Sequence, residues 1–219
     1  TLTISDADSG QASFTAQGAT AGSFGTFTLN SAGAWSYALN NAAPAVQALG
    51  AGQTLTETFS VAALDGTTSS VTVTINGSND AAVLSSGSGV VAEDGALTTG
   101  GTLTIADTDA GQASFAPQAA TAGSFGTFTL NAAGAWTYAL NNAAPAVQAL
   151  GAGQTLTETF SVSALDGTTS SVTVTINGSN DAAVLSSGSG AVGEDGALTT
   201  GGTLTIADTD AGQASFAPQ

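Results

Sequence analysis

The stretch TFSVSALDGTTSSVTVTI, residues 159–176, decides the fold of this chain. Its apolar residues alternate with Thr and Ser on both sides of an Asp-Gly pair, which is the pattern of two half-buried strands joined by a tight turn. The turn spans residues 165–168. The expected hairpin carries an inward-facing set on each strand: Phe160, Val162 and Ala164, then Val172, Val174 and Ile176. The predicted class is therefore all-β.

Shorter alternating segments, punctuated by Gly and Pro, precede this hairpin. They predict a strand around Val90 that ends at 93–95 and a short strand through Leu103 and Ile105 that ends at Asp107. A hairpin is also expected from Phe128 to Leu140, followed by one or two helical turns over Pro145 to Leu150. Seven or so strands with one apolar face each favour closure as a Greek-key β-sandwich.

The sequence repeats with a period of 101 residues, as the spacing of Trp35 and Trp136 shows. Residues 1–101 and 102–202 differ at 11 positions, and 203–219 copy 102–118. A period of this length matches one whole sandwich domain. We therefore expect tandem domains, cut at the Asn-Asp pair that follows each last strand. The expected division is a partial repeat over 1–80 that lacks its first strand, a complete repeat over 81–181 and the start of a third repeat over 182–219.

The aromatic residues of each repeat have two interpretations. Trp136 and Tyr138 share a face with Leu140, which favours a place in the core for them and for Trp35. The alternative is a platform on which sugars stack. Exposure of the two tryptophans discriminates between the interpretations.

The charge of the chain is one-sided, with sixteen Asp and Glu and no Lys, Arg or His. Nucleic acids and anionic membranes are disfavoured as partners, because both need basic residues. Without His, Lys or Cys no nucleophile has a base, so enzymatic catalysis is not expected. Two carboxylates alone can serve a glycosidase, but these recur in every repeat. Cations are the natural partners of such a chain.

The expected topology collects these acids at the junctions between repeats. The last strand ends at the Asn-Asp pair, its antiparallel neighbour starts there, and the first strand of the repeat also ends there. Candidate ligands at the first junction are Glu57, Asn79, Asp80, Asp107 and Asp109, with Asp166 of the hairpin turn as a further candidate. Candidate ligands at the second junction are Glu93, Asp94, Glu158, Asn180, Asp181, Asp208 and Asp210.

Such a concentration of acids calls for a metal ion. Two carboxylates 4 Å apart repel by about 4 kcal/mol at an effective dielectric constant of 20, and no basic side chain can relieve the repulsion. Hard oxygen ligands without His or Cys select Ca²⁺. The competing interpretation is that Asp-Gly and Asn-Asp are ordinary turn formers. That interpretation does not account for Glu57 and Glu93, which are not turn residues.

Four segments carry a resemblance to a known family: GTFTLNAAGAWTYALNN, PAVQALGAGQTLTETFSV, LDGT and VTVTINGSNDA. They resemble the VCBS repeat of large secreted bacterial proteins, including RTX-type adhesins. The resemblance implies an immunoglobulin-like or cadherin-like sandwich, export and a role at the cell surface or in biofilm. The Asn-Asp linker and the later Asp107-x-Asp109 also resemble the calcium-binding pattern of cadherins. The cadherin DRE motif and the GGxGxD nonapeptide of RTX proteins are absent.

Three functional hypotheses follow. The first is a secreted structural spacer or fibre-forming repeat of a bacterial surface adhesin, stiffened by Ca²⁺, whose partners are neighbouring repeats or identical subunits. The second is a module that binds glycans or surfaces, such as a matrix polysaccharide. The third is assembly by strand exchange, because residues 183–202 supply the strand that 1–80 lack. A cut through a continuous polymer explains the same ends.

Overall fold

The computed structural model describes residues 1–218 and is built almost wholly of strands. Its two helices, α1 and α2, have four residues each, start at a proline and carry the sequence PAVQ. The chain divides into two compact units. The first unit comprises Thr1–Val83 with Ala106–Ala113, and the second comprises Leu84–Ile105 with the chain from Ser114 onward. The loop that carries Asp107 and Asp109 thus belongs to the first unit.

The first unit is an incomplete sandwich of two small sheets. One sheet has the order β1-β2-β3 and the other consists of β4 and β5. A turn at Gly33, whose φ is +84°, connects the second and third strands. Its elements in chain order are β1 (Gln17–Ala21), β2 (Gly25–Leu29), β3 (Trp35–Leu39), α1 (Pro44–Gln47), β4 (Thr54–Ala62) and β5 (Thr68–Asn76). The two-residue strand β6 (Val83–Leu84) spans the boundary between the units.

The second unit repeats this plan and adds a strand to each sheet. Its elements are β7 (Gly87–Ala92), β8 (Thr98–Thr102), β9 (Ile105–Ala106), β10 (Gln118–Ala122), β11 (Gly126–Leu130), β12 (Ala135–Leu140), α2 (Pro145–Gln148), β13 (Thr155–Ser163) and β14 (Thr169–Asn177). One sheet has the order β10-β11-β12-β8 and the other β13-β14-β7. Beyond them lie β15 (Val184–Leu185) and β16 (Ile206–Ala207), which pair with each other.

The hairpin of residues 159–176 forms the centre of the second sheet. Strands β13 and β14 pair antiparallel with Phe160 opposite Val172, and Gly167 takes the positive φ of +90° that the turn requires. Strand β7 pairs with β14 in parallel, with Val91 opposite Ile176. Because the two strands run the same way, the residue after β7 lies beside the end of β14. This pairing positions Glu93 for the site described below.

The second unit has a single continuous core. Phe128 and Phe160 stack with ring centroids 4.7 Å apart, and Tyr138 tilts against Phe160. Trp136 is only 3% exposed. A β-carbon added at Gly101 would stand 3.1 Å from the indole nitrogen, so glycine lets β8 lie directly over this ring. The core interpretation of the aromatic residues is correct for Trp136 and Tyr138.

The same expectation is wrong for Trp35, which is 39% exposed. Strand β3 has β2 as its neighbour and no counterpart of β8 on its other edge. By the repeat register, all but the last residue of that counterpart would be numbered before Thr1. The buried residues of the first unit accordingly form two separate clusters, one around Phe27 and one around Val46.

Candidate metal centre

Three acids of the second unit come together at the end of β7. Oxygen atoms of Glu93, Asp94 and Asp181 all lie within 4.8 Å of one another. Two of these residues follow β7 and the third follows β14, so the parallel pairing of the strands creates the group. The described part of the chain has no Lys, Arg or His that could neutralise it.

Glu93 is the buried member of this group, with 1% of its surface exposed. Its backbone N–H donates to the Asn177 carbonyl at 2.9 Å. Gln148 of α2 donates from Nε2 to Glu93 Oε1 at 2.9 Å, and the Ser179 N–H approaches Oε2 at 3.4 Å. Neutral donors therefore hold the carboxylate, and none of them cancels its charge.

Asp94 is held in an unusual backbone conformation. Its φ is +52°, a left-handed value that Asp tolerates better than most residues. Asn142 secures it twice, since Oδ1 of Asn142 accepts from the Asp94 N–H at 3.1 Å and Nδ2 donates to Asp94 Oδ1 at 2.7 Å. The site is thus assembled by strand ends and two amide side chains.

Asp210 connects the linker to the start of the third repeat. Its Oδ2 accepts from the Asp181 N–H at 3.0 Å and from Gln213 Nε2 at 3.0 Å. The Asp210 N–H in turn donates to Asp208 Oδ1 at 2.9 Å. The neighbouring Ala211 N–H donates to the Ala149 carbonyl at 3.0 Å, which docks this loop beside α2.

The electrostatics of the group favour the binding of a cation. Burial is the main cause that raises the pKa of Glu93, and the charges of Asp181, Asp94 and Asp210 raise it further. The pKa of Asp181 is also raised, first by desolvation and then by Asp210. Asp210 Oδ1 is buried and has no hydrogen-bond partner. An orphaned carboxylate oxygen of this kind is an atom suited to coordinate a cation.

The first unit contains a second acidic group of the same design. Asp109, 2% exposed, accepts at Oδ2 from the Asp80 N–H at 2.9 Å and from Gln112 at 3.2 Å. The Asp109 N–H donates to Asp107 Oδ1 at 2.8 Å. Asp109 Oδ1 and Asp107 Oδ2 are buried without a partner. The counterparts of Glu93 and Asp94 would be numbered before Thr1.

The two linker asparagines have equivalent conformations. Nδ2 of Asn79 donates to the Asp80 carbonyl at 2.9 Å, and Nδ2 of Asn180 donates to the Asp181 carbonyl at 2.7 Å. The amide oxygen is the remaining side-chain atom that can serve a metal ion. The structure places both asparagines on exposed linker segments beside the acids they were predicted to join.

Glu57 and Glu158 have other partners. Glu158 accepts from the Tyr138 hydroxyl at 2.6 Å and from the Phe125 N–H at 2.8 Å. Glu57 accepts equivalent bonds from Tyr37 at 2.6 Å and from Phe24 at 2.7 Å. Both side chains face the interior of their own sandwich, because they lie on the same face of the strand as the next apolar residues. The structure therefore does not group either glutamate with the linker acids.

The amide and hydroxyl side chains that support the acids were not predicted from the sequence. Gln112 and Gln213 occupy the last position of the string DTDAGQ, and Gln11 ends the related DADSGQ. The constant spacing between the two aspartates and this glutamine was the available signal. Gln148, Asn142 and Ser179 had no comparable signal, because only the fold brings them to Glu93 and Asp94.

Comparison with known proteins gives the family. The model of the bacterial cadherin-like domain matches residues 1–77 and again residues 79–178. The chain belongs to the bacterial cadherin-like domain family. Cadherin-like domains are structural or adhesive modules, so an extracellular role in adhesion or spacing fits the chain. The described residues include no helix that is long and apolar enough to span a membrane.

Solved structures similar to this cadherin-like chain are protocadherin ectodomains. PcdhgB3 EC1-4 has 14% sequence identity and a TM-score of 0.40, and the match covers 89% of this chain and 50% of that one. Protocadherin Gamma B2 extracellular cadherin domains 1-5 have 15% identity and a TM-score of 0.41, with 98% of this chain and 44% of that one covered. This chain thus spans half or less of these two structures. No curated protein matches the chain.

Proposed function

We propose that the chain is a calcium-stiffened spacer of a secreted bacterial adhesin or extracellular filament. Each cadherin-like repeat supplies length, and Ca²⁺ fixes the linker and the following loop on the end of the preceding repeat. In the second unit the ligands are Glu93, Asp94, Asp181 and Asp210, with Asp208 and Asn180 beside them. Asp80, Asp107, Asp109 and Asn79 form the equivalent set in the first unit.

One observation carries this proposal. Asp210 buries a carboxylate oxygen, Oδ1, that has no donor, while its Oδ2 accepts from the backbone of Asp181. The carboxylate of Asp181 is grouped with those of Glu93 and Asp94, and the chain has no basic side chain. Buried polar atoms in native proteins are almost always satisfied, and a carboxylate left unsatisfied is costly. A hard cation with six to eight oxygen ligands satisfies all these atoms at once, which is the preference of Ca²⁺.

Glu57 and Glu158 are structural residues under this proposal. Their hydrogen bonds to tyrosine join the two sheets of each sandwich. They therefore contribute to the stability of the repeats whether or not Ca²⁺ is bound.

Calorimetric titration of the 219-residue chain with Ca²⁺ tests the proposal. We expect saturable binding and a melting temperature of the second unit that rises with Ca²⁺ and falls in EDTA. When the free Ca²⁺ concentration is 100 times the dissociation constant of a site, binding adds about 2.7 kcal/mol to the free energy of unfolding. No heat of binding together with identical melting curves in Ca²⁺ and EDTA would refute the calcium part of the function.

Two substitutions with equal change in charge provide the control. Asp210→Asn removes a ligand from the proposed centre and should weaken Ca²⁺ binding to the second unit. Asp65→Asn removes the same charge from an exposed hairpin turn, where the side chain receives hydrogen bonds from Thr67. Loss of binding in both variants would indicate attraction by net charge rather than coordination.

A further inference from the structure

We infer that the open edge of strand β13 is a contact surface through which two copies of this chain associate. In this contact β13 of one copy pairs antiparallel with β13 of the other, which joins two sheets into one. The inference goes beyond the proposed function, because no residue of the metal centre takes part. Strand β13 and its counterpart β4 are both present in full, so each repeat carries the surface.

The backbone of β13 directs its hydrogen-bonding groups alternately toward β14 and away from it. The Ala164 N–H, one residue beyond the strand, donates to the Thr168 carbonyl across the hairpin at 2.8 Å. Even-numbered residues of β13 therefore bond to β14, and odd-numbered residues face the outer edge. Within residues 1–218 the structure contains no hydrogen-bond partner for the outward backbone groups of Thr155, Thr157 and Thr159.

The second half of the same edge is covered by the chain itself. Gln118 donates from Nε2 to the Ser161 carbonyl at 2.8 Å. Beyond Gln118 the chain pairs with β11 instead, and a cleft of about 670 Å³ lies between β10 and β13. One wall of the cleft consists of residues 157–161, and the other includes residues 121–124. The first half of β13 is therefore accessible to a strand of another molecule.

Strand β13 lacks the features that normally keep an edge strand from pairing. Natural edge strands are blocked by bulges, prolines or outward-pointing charges. The neighbouring edge strand β10 has such a break in its register, between Gln118 and Thr121. Strand β13 keeps a regular register over its nine residues and contains no proline, and its one charged residue, Glu158, is buried. In a chain of net charge -16, this uncharged edge lets two copies approach without facing carboxylates.

The open half of β13 is complementary to itself. When Thr157 lies opposite Thr157 of the second copy, Thr155 of each copy lies opposite Thr159 of the other. Residues that are directly opposite in such an antiparallel pair exchange both of their hydrogen bonds. All the outward N–H and C=O groups of the three threonines then have partners. The arrangement has two-fold symmetry, the commonest symmetry of soluble dimers, so a second copy is the occupant that fits this edge.

The side chains are compatible with this alignment on both faces of the sheet. On the outer face it places threonine opposite threonine, a pairing that β13 and β14 already contain, since the hydroxyls of Thr159 and Thr173 lie 3.2 Å apart. Cross-strand threonine pairs of this kind stabilise sheets. On the inner face Glu158 would lie opposite Leu156 and not opposite its own copy. The alignment therefore sets no two carboxylates directly against each other.

The first unit carries the same edge on β4. Gln17 donates from Nε2 to the Ser60 carbonyl at 2.8 Å, as Gln118 does to Ser161. A cleft of about 640 Å³ again lies beside the first half of the strand. The residues that correspond to the three outward threonines are Thr54, Thr56 and Thr58. A test of association must therefore change both strands.

Sedimentation of the 219-residue chain in EDTA tests the inference apart from calcium. We expect association that grows with protein concentration and with salt, because salt screens the repulsion between acidic chains. Thr56→Pro combined with Thr157→Pro removes one outward donor from each edge and leaves the bonds to the neighbouring strand, so association should weaken at least about tenfold. Thr56→Val combined with Thr157→Val keeps both N–H groups and should associate like the parent. A monomer at all concentrations, or equal effects of the two pairs, would overturn the inference.

A cross-link identifies the contact even if the proline variant does not fold, because the chain has no cysteine. In the proposed alignment the two copies of Thr157 are a hydrogen-bonded pair with Cα atoms about 5.5 Å apart, a separation that a disulfide can bridge. Under oxidation Thr157→Cys should form a covalent dimer several-fold faster than Thr175→Cys. Thr175 is the matched control, because it lies opposite Thr157 on the same face, one strand further from the edge.

Equal rates of cross-linking for the two cysteine variants would refute the contact. This result is independent of the metal centre. Binding of Ca²⁺ without the faster cross-link would leave the proposed function standing and overturn the inference. The faster cross-link without binding of Ca²⁺ would support the inference and refute the calcium part of the function.

Discussion

Removing one hydroxyl group tests the structural assignment of Glu158. In Tyr138→Phe the ring remains, so packing against Phe160 is kept, but Glu158 Oε2 loses its donor at 2.6 Å. Tyr138 is fully buried. Burial, together with the hydrogen bond to Glu158 and the charge of that residue, raises the pKa of the tyrosine. A hydrogen bond to a charged group contributes about 1.5–3 kcal/mol.

The repeat offers a matched control for this loss. Tyr37 donates to Glu57 at the same distance, but Tyr37 is only partly buried, so water can replace the lost hydroxyl. Tyr37→Phe should therefore cost less than about 1 kcal/mol. At about 4–8 °C per kcal/mol, a loss of about 2 kcal/mol in Tyr138→Phe lowers the melting temperature of the second unit by about 8–16 °C.

Tryptophan fluorescence allows each unit to be followed separately. Each unit contains one tryptophan, so Trp35→Phe leaves Trp136 as the reporter of the second unit, and Trp136→Phe leaves Trp35 as the reporter of the first. We expect the cost of Tyr138→Phe to be the same in Ca²⁺ and in EDTA. A cost that appears only in Ca²⁺ would show that Glu158 serves the metal ion, and equal costs for the two tyrosines would refute the argument from burial.

Three further outcomes are expected. The pKa of Glu93 is raised from its ordinary value of 4.5, so the folded state binds this proton more tightly than the unfolded chain does. In EDTA the melting temperature of the second unit should therefore fall as the pH rises from 4.5 through the raised pKa of Glu93. In excess Ca²⁺ the same scan should show the opposite slope, because protons then compete with the ion, and equal slopes would contradict a shared site. Acrylamide should quench the fluorescence of Trp35 more than that of Trp136 in dilute solution. Equal quenching would contradict the difference in exposure between the two rings. Gly101→Val should lower the melting temperature of the second unit by forcing β8 from the Trp136 ring, whereas Gly202→Val should leave it unchanged, because Gly202 meets no neighbour.

The sequence by itself determined the all-β class, the period and the positions of the main hairpins. These features depend on local patterns: alternation fixes which side chains face inward, Asp-Gly marks the turn, and near-identity over 101 residues marks the repeat. Antiparallel pairing of neighbouring strands is local too, so the hairpin of residues 159–176 needed no knowledge of distant contacts. The return of the first strand to the end of β14 also followed from chain direction, which is why Glu93 was expected near Asp181.

Only the tertiary structure decided the burial and the partners of individual side chains. Glu158 and Asp181 are equally acidic in the sequence, yet Glu158 meets Tyr138, 20 residues away along the chain, and Asp181 meets Glu93 and Asp94 from another strand. Trp35 and Trp136 have nearly identical neighbours in the sequence, but their exposures differ because β8 covers one ring and not the other. Burial and ligand geometry depend on which strands stand beside a residue, and that information is distributed over the chain rather than held in any local pattern.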